Sequence, residues 1–486
     1  MHAADAAALV ATLARALTAE VHETHISWVL LAGDTAYKIK KPLRLPFVDY
    51  SSLEARRHFC QEELRLNQRL APALYLGITR ITGTRQAPEL DGSGPVLEVA
   101  VRMRRFPAGA LFDEQLAAGT LQAGDIDRLA AMLARFHQQA PRAAVSSGFA
   151  GAERRRATAM AALEGVRSLA SPTEQALLKD WLQAESAVLS SFWNTRLADG
   201  CVRECHGDLH LANLVRLDGD VVAFDCIEFD PALRWIDVID DVAFVVMDFA
   251  AHHRRDFAFR FMNAWLDRTG DHRALPALRF SVVYRALVRA QVTCLRSSAD
   301  DPMARRYLQT ALAWMSRPEV RLVITHGLSG SGKTVASQRL LERDGAIRLR
   351  SDVERKRLFG LEMTEDSRAK GMDLYDAATT ARTYEALFQT ARGVLGAGYP
   401  VILDAAFLRR SERAQAFALA RELKVPFSIV KCEAPIPVLR ARLLAREGDA
   451  SEADIAVLEH QRAIAEPLSE DEIACADAEA RGDTLP

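Results

Sequence analysis

The segment GLSGSGKT at residues 327–334 follows an apolar stretch at 322–325 and fits the pattern G-x-x-x-x-G-K-S/T in full. In such a loop, backbone N–H groups surround phosphates, the lysine reaches the β- and γ-phosphates, and the final hydroxyl holds Mg²⁺. The pattern therefore predicts a site for ATP or GTP with Mg²⁺, in which Thr334 is a metal ligand. A strand is expected before the loop and a helix after it, because a helix N-terminus attracts phosphate charge. The predicted phosphate-binding residues are Gly327, Ser329, Gly330, Ser331, Gly332, Lys333 and Thr334.

Two acidic residues follow later apolar stretches of the same region. Asp352 comes shortly after residues 346–349, and Asp404 comes directly after residues 401–403. If these stretches are parallel strands, both acids lie near the carboxyl ends of the strands, where open α/β sheets bind ligands. Asp352 is a base for a substrate hydroxyl, or else Ser351 or Asp352 is merely the N-cap of a helix expected at 353–359. Asp404 is either a Mg²⁺ ligand or another capping or turn acid.

Three arginines, Arg440, Arg442 and Arg446, lie on one helix further along the chain. Their spacing does not place all three on one face. Two of them could clamp phosphates from a lid, and Arg440 and Arg446 are our candidates. The alternative is a solvated helix that carries arginines for no catalytic reason.

A second set of residues suited to phosphoryl transfer lies in HGDLHLAN at 206–213 and at the end of a strand expected at 221–224. Phosphoryl transfer needs a carboxylate that orients or deprotonates the acceptor hydroxyl. It also needs an Asn and a second carboxylate that hold Mg²⁺ against the phosphates. Asp208, Asn213 and Asp225 supply this set, and adjacent strands can bring them together. The alternative is that these acids cap a hairpin and that Asn213 occupies a tight turn.

The order of predicted elements indicates two domains. Strand-like alternation with one helix, at 54–70, characterises the opening, whereas helical spacing dominates from about Asp125, a plausible N-cap. A strand–turn–strand segment at 201–229 interrupts these helices. After Pro318, strands and helices alternate, which indicates a parallel α/β sheet. The predicted domains are residues 1–316 and 319–486.

Composition excludes several classes of protein. The 486 residues are 49% hydrophobic and 26% charged with a net charge of −2, which is typical of a globular protein and counts against a nucleic-acid partner. Seven cysteines, an odd number in a long chain, do not indicate a disulfide framework. The N-terminus is expected to be an amphipathic helix and not a signal peptide, and the apolar runs are too short to span a bilayer. We therefore expect a cytoplasmic protein without a membrane partner.

The segment HGDLHLAN, together with the acid that follows the next strand, resembles the aminoglycoside phosphotransferase and choline kinase family over about residues 20–310. This resemblance implies an α+β protein-kinase-like fold. It implies that Asp208 is the catalytic base, Asn213 a metal ligand and Asp225 the main Mg²⁺ ligand. In the same family Asp241 would support the catalytic loop from behind. Further residues that the resemblance places near the site are His206, Glu228 and Asp230.

The same family uses a strand lysine that touches the α- and β-phosphates and pairs with a helix glutamate. Lys38 and Lys40 fall on one face of the strand expected at 35–40, because side chains alternate with a period of two. The order Ala-Tyr-Lys favours Lys38, and we assign Lys38 with Glu63, while Lys40 and Glu62 stay open as the other choice for each position. A solvated basic edge strand is the alternative for the whole pair.

The C-terminal segment resembles a group of P-loop small kinases near zeta toxins, gluconate kinases and polynucleotide kinase. The resemblance rests on GLSGSGKT, LRSDVERKRL, VILDAAF and LRARLLAR. It implies an α/β P-loop kinase domain that transfers phosphate to a hydroxyl, with Asp352 as the base and the arginines in a lid. Both halves in this order, with THISWVLLAGDTAYKIKKPL and FDCIEFDPALRWIDVIDDVAF, resemble a bacterial family of fused aminoglycoside-phosphotransferase-like and ATP-binding proteins.

From these features we expect a bifunctional, ATP-dependent phosphotransferase that acts on hydroxyl groups of small molecules. Two alternatives stay open. One domain could bind nucleotide without turnover and gate the other, or the P-loop domain could act on nucleic acid. Nucleotide hydrolysis by each site tests the first alternative, and salt-dependent binding of RNA or DNA tests the second.

Overall fold

The computed structural model of the chain describes residues 3–45, 48–297, 301–372, 374–445 and 449–474. None of the helices in these ranges is long and apolar enough to cross a membrane. The chain forms two compact units, and each of them combines two segments. The first unit is Met1–Asp248 with Phe280–Ala311, and the second is Phe249–Arg279 with Leu312–Pro486. A domain boundary between 316 and 319 stays a prediction, since Phe249–Arg279 precedes it in the chain and packs in the second unit.

Strands cluster at the start of the chain and again after residue 321, with a mainly helical stretch between them. The helices and strands up to residue 251 are α1 (Ala3–Leu17), β1 (Glu20–Glu23), β2 (Ser27–Ala32), β3 (Thr35–Lys40), β4 (Arg44–Leu45), β5 (Val48–Asp49), α2 (Leu53–Asn67), β6 (Tyr75–Gly83), β7 (Pro88–Leu90), β8 (Val96–Arg104), α3 (Phe112–Ala117), α4 (Ala123–Gln139), α5 (Ala152–Gly165), α6 (Pro172–Ala198), β9 (Val202–Glu204), β10 (Leu214–Leu217), β11 (Asp220–Ala223), α7 (Pro231–Arg234), β12 (Trp235–Asp237) and α8 (Val238–Ala251). Those that follow are α9 (Arg255–Thr269), α10 (Leu275–Arg296), α11 (Pro302–Met315), β13 (Leu322–His326), α12 (Lys333–Asp344), β14 (Ile347–Arg350), α13 (Ser351–Leu358), α14 (Ala377–Gly396), β15 (Val401–Asp404), α15 (Arg410–Leu423), β16 (Phe427–Lys431), α16 (Ile436–Leu444), α17 (Ile455–Ile464) and α18 (Glu470–Ala474).

An antiparallel sheet of six strands opens the first unit, in the order β1-β2-β3-β8-β6-β7. Its two faces carry alternate residues, as the period of two requires. Trp28, Leu30 and Ile39 pack on one face in a core that includes residues of α1. Ala36 belongs to the core on the opposite face, which also includes Cys60 of α2. Strand β3 lies between two neighbours, so the alternative of a solvated edge strand for its lysines is wrong.

Helices and short two-stranded antiparallel sheets form the rest of the first unit. Strand β9 pairs with β12, and β10 pairs with β11. The loops after β9 and β11 meet where His206 contacts the carbonyl oxygen of Phe224. The predicted helix near residue 125 begins earlier than expected. Gln122 is the N-cap of α4. The backbone N–H of Gln122 donates a hydrogen bond to the Asp125 carboxylate at 2.9 Å. The prediction of Asp125 as N-cap is therefore wrong, because Asp125 is the N3 acid of a capping box.

The second unit contains a parallel sheet of four strands in the order β14-β15-β13-β16. The two central strands, β15 and β13, are buried throughout, which is typical of parallel sheets covered by helices. Because all four strands run the same way, the residues that follow their carboxyl ends meet at one edge of the sheet. The predicted fold class, an α+β kinase-like domain followed by an α/β domain with a parallel sheet, is confirmed.

Candidate active sites

The phosphate-binding segment lies between a strand and a helix of the second unit, because β13 ends at His326 and α12 begins at Lys333. Gly327 has a φ of +148°, and a Cβ there would lie 2.1 Å from the carbonyl oxygen of Cys432, so only glycine fits. Gly332 has a φ of +98° and is the N-cap of α12. The loop therefore directs backbone N–H groups and a helix N-terminus at one point, an arrangement that binds phosphate.

A cavity of about 1300 Å³ lies beside this loop in the second unit. The ammonium group of Lys333 donates hydrogen bonds to the carbonyl oxygens of Gly327 (2.9 Å) and Leu328 (2.8 Å) in the loop. The volume of the cavity accommodates a nucleotide together with a small acceptor. The predicted residues that line the cavity are Ser329, Gly330, Gly332, Lys333, Thr334, Asp352 and Asp404. Side chains spread over residues 329–404 of the sequence thus meet at one site.

The two predicted acids approach the cavity from different strands. Asp352 lies in the first turn of α13, whose N-cap residue is Arg350, so the capping alternative for Asp352 is wrong. Asp404 is the last residue of β15 and is buried, and its Oδ2 accepts a hydrogen bond from Oγ of Ser337 at 2.9 Å. Ser337 lies one turn after Thr334 on α12, so Asp404 is fixed near the predicted metal ligand. The roles of Asp352 as base and Asp404 as metal ligand stay predictions.

The predicted lid arginines take different positions. Arg440 pairs with Glu459 at 2.7 Å on the exposed surface. Arg442 lines the cavity and donates a hydrogen bond to the carbonyl oxygen of Gly330 at 3.1 Å. Arg446 lies outside the described residues. Contact with phosphates by Arg440 and Arg446 therefore stays a prediction, while Arg442 is the arginine that touches the phosphate-binding loop.

The lysines of β3 meet one buried glutamate in the first unit. Nζ of Lys38 lies 2.8 Å from Oε1 of Glu63, and Nζ of Lys40 lies 2.7 Å from Oε2 of the same carboxylate. Burial alone would raise the pKa of Glu63, but the two lysines lower it below its ordinary range. Lys38 also contacts Asp225, and Lys40 contacts Glu228. Glu63 therefore stays ionised and holds both lysines beside the acids that follow β11.

The open choice between neighbouring glutamates has a geometric answer. Glu62 points away from the lysines and pairs with Arg65 at 2.9 Å. Glu63 is the partner of both Lys38 and Lys40. Of the two lysines, Lys38 is the one that contacts Asp225, the predicted main Mg²⁺ ligand. Which lysine touches phosphate stays a prediction.

The predicted catalytic loop is held by its own side chains. The Asn213 amide donates a hydrogen bond to the Asp208 carbonyl oxygen at 2.9 Å and lies 3.4 Å from its carboxylate. Burial would raise the pKa of Asp208, but His210, 3.4 Å from Oδ2, together with the charges of Arg289 and His206 lowers it below its ordinary range. Asp208 is therefore a carboxylate at neutral pH, which a group that accepts a proton must be.

His206 connects this loop to the end of β11. Burial lowers the pKa of His206, so the ring is neutral. Its Nε2 lies 2.9 Å from the carbonyl oxygen of Phe224, and its Nδ1 accepts the backbone N–H of Asp208 at 3.2 Å. These partners define the tautomer, because a carbonyl needs a donor and an N–H needs an acceptor. The ring fixes the backbone at the predicted base, as expected for an orienting residue.

Asp225 lies next to this loop through the β10–β11 hairpin. Leu214 pairs with Ala223 in the register, and the backbone N–H of Phe224 donates to the carbonyl oxygen of Asn213 at 3.0 Å. Asp225 has a φ of +64°, a conformation that is uncommon for a residue other than glycine and is concentrated at functional sites. The structure thus brings Asp208, Asn213 and Asp225 together, as the sequence predicted.

Asp241 supports the loop from behind, as expected. Its carboxylate accepts hydrogen bonds from the backbone N–H groups of His206 (2.8 Å) and Gly207 (2.9 Å) and lies 3.4 Å from Nε2 of His137. Gly207 has a φ of +90°, and a Cβ there would lie 2.7 Å from the carbonyl oxygen of Leu233. The loop before Asp208 is therefore packed too closely for a larger residue.

Both halves of the chain match families of known proteins. Residues 48–280 match a phosphotransferase enzyme family, and residues 322–468 match an AAA domain. An uncharacterized protein of Mycobacterium tuberculosis is 32% identical over 448 residues, which cover 89% of this chain and 87% of the relative. A protein of Mycobacterium bovis matches with the same values. The chain belongs to this family of fused phosphotransferase and P-loop kinase proteins. The resemblance predicted from the sequence is confirmed, and the two families support phosphotransferase activity.

Two solved structures are similar to part of this fused protein. A choline/ethanolamine kinase family protein from Mesorhizobium loti is 14% identical and has a TM-score of 0.40, with 65% of this chain and 96% of that chain covered. A gluconokinase from Sinorhizobium meliloti is 20% identical and has a TM-score of 0.23, with 33% of this chain and 82% of that chain covered.

The residues of both sites in the fused protein fit Mg²⁺ and a nucleotide. Carboxylate, amide and hydroxyl oxygens are the donors that Mg²⁺ prefers, and Asn213 with Asp225 in one site and Thr334 with Asp404 in the other supply them. Among the residues that the structure describes, the buried hydroxyl of Ser331 has no hydrogen-bond partner. A phosphate oxygen in the loop would satisfy this hydroxyl.

Two residues of the fused protein's sites were missed from the sequence. Gln461 of α17 accepts the backbone N–H of Ser329 through its Oε1 at 2.8 Å, and Tyr50 donates a hydrogen bond to Glu228 beside Lys40. A glutamine in a helix and a tyrosine in a loop carry no local signal of function. The tyrosine could have been suspected only from its place between β3 and α2.

Proposed function

We propose that the chain is an ATP-dependent phosphotransferase with two separate sites, each of which transfers a γ-phosphoryl group to a hydroxyl group of a small molecule. The observation that supports this proposal is that each unit brings together its own set of side chains suited to bind phosphate, Mg²⁺ and a hydroxyl group. Neither set borrows a residue from the other unit. Each site would use Mg²⁺, which neutralises phosphate charge when it is bound.

In the first unit, Lys38 would bind the α- and β-phosphates, and Glu63 would hold its ammonium in place. Asn213 and Asp225 would hold Mg²⁺ against the phosphates. Asp208 would orient the acceptor hydroxyl and take its proton, which its ionised state allows. The rate would come mainly from positioning and from charge neutralisation.

In the second unit, the loop at 327–334 would bind the phosphates and Thr334 and Asp404 would hold Mg²⁺. Asp352 would accept the proton of the acceptor hydroxyl. The cavity beyond Asp352 is lined by Arg355 and Arg409. Among the described residues, the buried Nε of Arg355 lacks a hydrogen-bond partner. These charges favour an acceptor that carries an anionic group in addition to its hydroxyl.

A screen of a metabolite mixture for phosphorylated products tests the proposal. The wild type is compared with Asp208→Ala, which removes the base of the first site, and Lys333→Ala, which removes a phosphate ligand of the second. Asp220→Ala and Lys431→Ala are matched controls on the exposed surface of each unit. We expect each site variant to remove a different product and the controls to remove none. Loss of the same product in both site variants would mean that the two units share one reaction. If neither variant lost a product, the proposal that the chain is a phosphotransferase would be rejected.

A further inference from the structure

Helix α9 lies against the parallel sheet of the second unit, although its sequence falls within the residues 48–280 that match the phosphotransferase family. Residues spaced four apart on a helix share one face. On α9 such a stripe contacts the sheet and α12. Gly345, which ends α12 with a φ of +67°, has space only for hydrogen, since a Cβ would lie 2.6 Å from Arg255 and 2.9 Å from Phe259. The stripe consists of Arg255, Phe259, Asn263 and Asp267.

Asn263 pairs with the edge strand of the sheet. Strand β14 has β15 on one side only. On its other side, the Asn263 amide donates to the carbonyl oxygen of Ala346 at 2.9 Å and accepts the backbone N–H of Arg348 at 2.7 Å. A side-chain amide has the donor and the acceptor of a peptide group, so Asn263 takes the place of a neighbouring strand. Asn263 is buried, and its contacts are therefore not shared with water.

Asp267 lies one turn after Asn263 and faces the arginines of β14. Its Oδ2 lies 3.5 Å from Nη2 of Arg348 and 4.0 Å from Nη1 of Arg350. Arg350 lines the cavity, two residues before Asp352. The end of α9 is fixed as well, because Arg357 of α13 donates to the carbonyl oxygen of Asp267 at 2.8 Å.

We propose that α9 is part of the P-loop kinase site, in which Asn263 fixes the edge strand β14 and Asp267 positions the Arg350 guanidinium at the cavity. Asn263 and Asp267 are positioning residues, since they act through β14 and not on the substrate. Nη2 of Arg350 also pairs with Asp449 at 2.7 Å, so acids at both of its terminal nitrogens set the direction of the guanidinium. The P-loop site then depends on a helix that lies about 60 residues before the segment that matches the AAA domain. The inference rests on the proposed function of that site only for its kinetic part.

The test uses the full chain with Asp208→Ala, so that the first site is silent. Mg-ATP hydrolysis is measured for Asp267→Asn, with Asp256→Asn as the matched control. Asp256 lies in the first turn of the same helix, where it pairs with Arg254 on the surface. Amide hydrogen exchange is measured in parallel for Asn263→Ala, in a peptide that covers residues 346–350.

We expect Asp267→Asn to lower kcat for hydrolysis by about tenfold or more, with KM for ATP changed less than about threefold, because misplaced groups slow the chemical step more than binding. Asp256→Asn should leave both values unchanged. In Asn263→Ala the backbone amide hydrogen of Arg348 should exchange at least about tenfold faster, since the hydrogen bond that protects it is lost. An unchanged kcat in Asp267→Asn, or unchanged exchange in Asn263→Ala, overturns the inference.

The failure of the proposed function gives a different result. If Lys333→Ala leaves hydrolysis in the Asp208→Ala chain unaltered, the P-loop site does not hydrolyse ATP, the kinetic part of the inference fails with the proposed function, and the structural part is decided by exchange alone. Faster exchange at residues 346–350 then still supports α9 as part of the second unit, and unchanged exchange rejects it.

Discussion

Nζ of Lys40 lies 2.7 Å from Oε2 of Glu63, and both side chains are fully buried. The second carboxylate oxygen of Glu63 lies 2.8 Å from Nζ of Lys38. On its other side Lys40 contacts Glu228, which also accepts the hydroxyl of Tyr50. Lys40 thus fixes the orientation of Glu63, and this orientation aims one oxygen at the lysine that contacts Asp225.

Replacement of Lys40 by Met should strongly destabilise the first unit. The change leaves two buried carboxylates without their shared cation, and breaking a buried pair in this way costs about 3–5 kcal/mol. Lys41→Met is a matched control, since Lys41 pairs with the exposed Glu23 and such pairs contribute about 1 kcal/mol or less. Urea unfolding of both variants measures the difference. Equal free energies of unfolding for the two variants would contradict the role of Lys40.

The sequence predicted that the two lysines of β3 share one face of the strand, but not all of their partners. A period of two places Lys38 and Lys40 on one face without knowledge of the fold. That both meet one glutamate depends on the angle at which α2 crosses the sheet, and this angle is set by packing around Cys60 and Ala36. The contact of Lys40 with Glu228, 188 residues later, depends on tertiary structure alone.

Local patterns were reliable where the chemistry needs one continuous segment. The loop at 327–334 lies between a strand and a helix, as the sequence predicted, and the segment at 206–213 lies beside the residue that follows β11, as also predicted, because both motifs keep their residues at fixed spacing. The roles of their residues stay predictions. Asn263 and Asp267 were invisible, since a polar pair four residues apart on a helix is usually a solvated face. Only the burial of both, against a strand that begins at Ile347, distinguishes them.

Gln461 contacts the phosphate-binding loop at a backbone N–H, and we expect it to oppose nucleotide binding there. Its Oε1 accepts the backbone N–H of Ser329, a group that such loops direct at phosphate oxygens. Gln461→Ala removes this contact, so binding no longer has to break it. We expect Mg-ATP to bind about three- to tenfold more tightly, since one hydrogen bond contributes about 1 kcal/mol. Calorimetric titration measures it, with Gln338→Ala on α12 as the control. Weaker binding by Gln461→Ala would show that Gln461 contacts the nucleotide itself.

A single methyl group at Gly327 should damage the P-loop site. The Cβ of Gly327→Ala would lie 2.1 Å from the Cys432 carbonyl oxygen, and a φ of +148° is strained for alanine. The loop must shift, so we expect Mg-ATP affinity in the second unit to fall by about tenfold or more. Gly393→Ala is the matched control, because a Cβ at this helical position meets open space and should raise stability by about 1 kcal/mol. Equal Mg-ATP affinities in the two variants would show that the close approach of Gly327 to the Cys432 carbonyl oxygen does not matter for binding.

The stability of the second unit should fall in mild acid because of His272. Burial lowers the pKa of His272 to about 4, an effect that Glu354 opposes only in part, and among the described residues its Nε2 has no hydrogen-bond partner. The unfolded chain binds a proton below about pH 6.5, whereas the folded chain does so only near pH 4. The contribution of the neutral, buried His272 to the free energy of unfolding is therefore complete above about pH 6.5 and is lost as the pH falls towards 4. It amounts to at most about 3 kcal/mol, since one unit of pKa corresponds to about 1.4 kcal/mol.

His272→Phe removes this proton and should flatten the dependence of the unfolding free energy on pH between about 4 and 6.5. Urea unfolding at a series of pH values measures the slope. The replacement His58→Asn is the control and should keep the slope of the wild type, because His58 is exposed. A slope that stays the same in His272→Phe would mean that the acid sensitivity of the second unit arises from its carboxylates, whose ion pairs are lost over a lower range of pH.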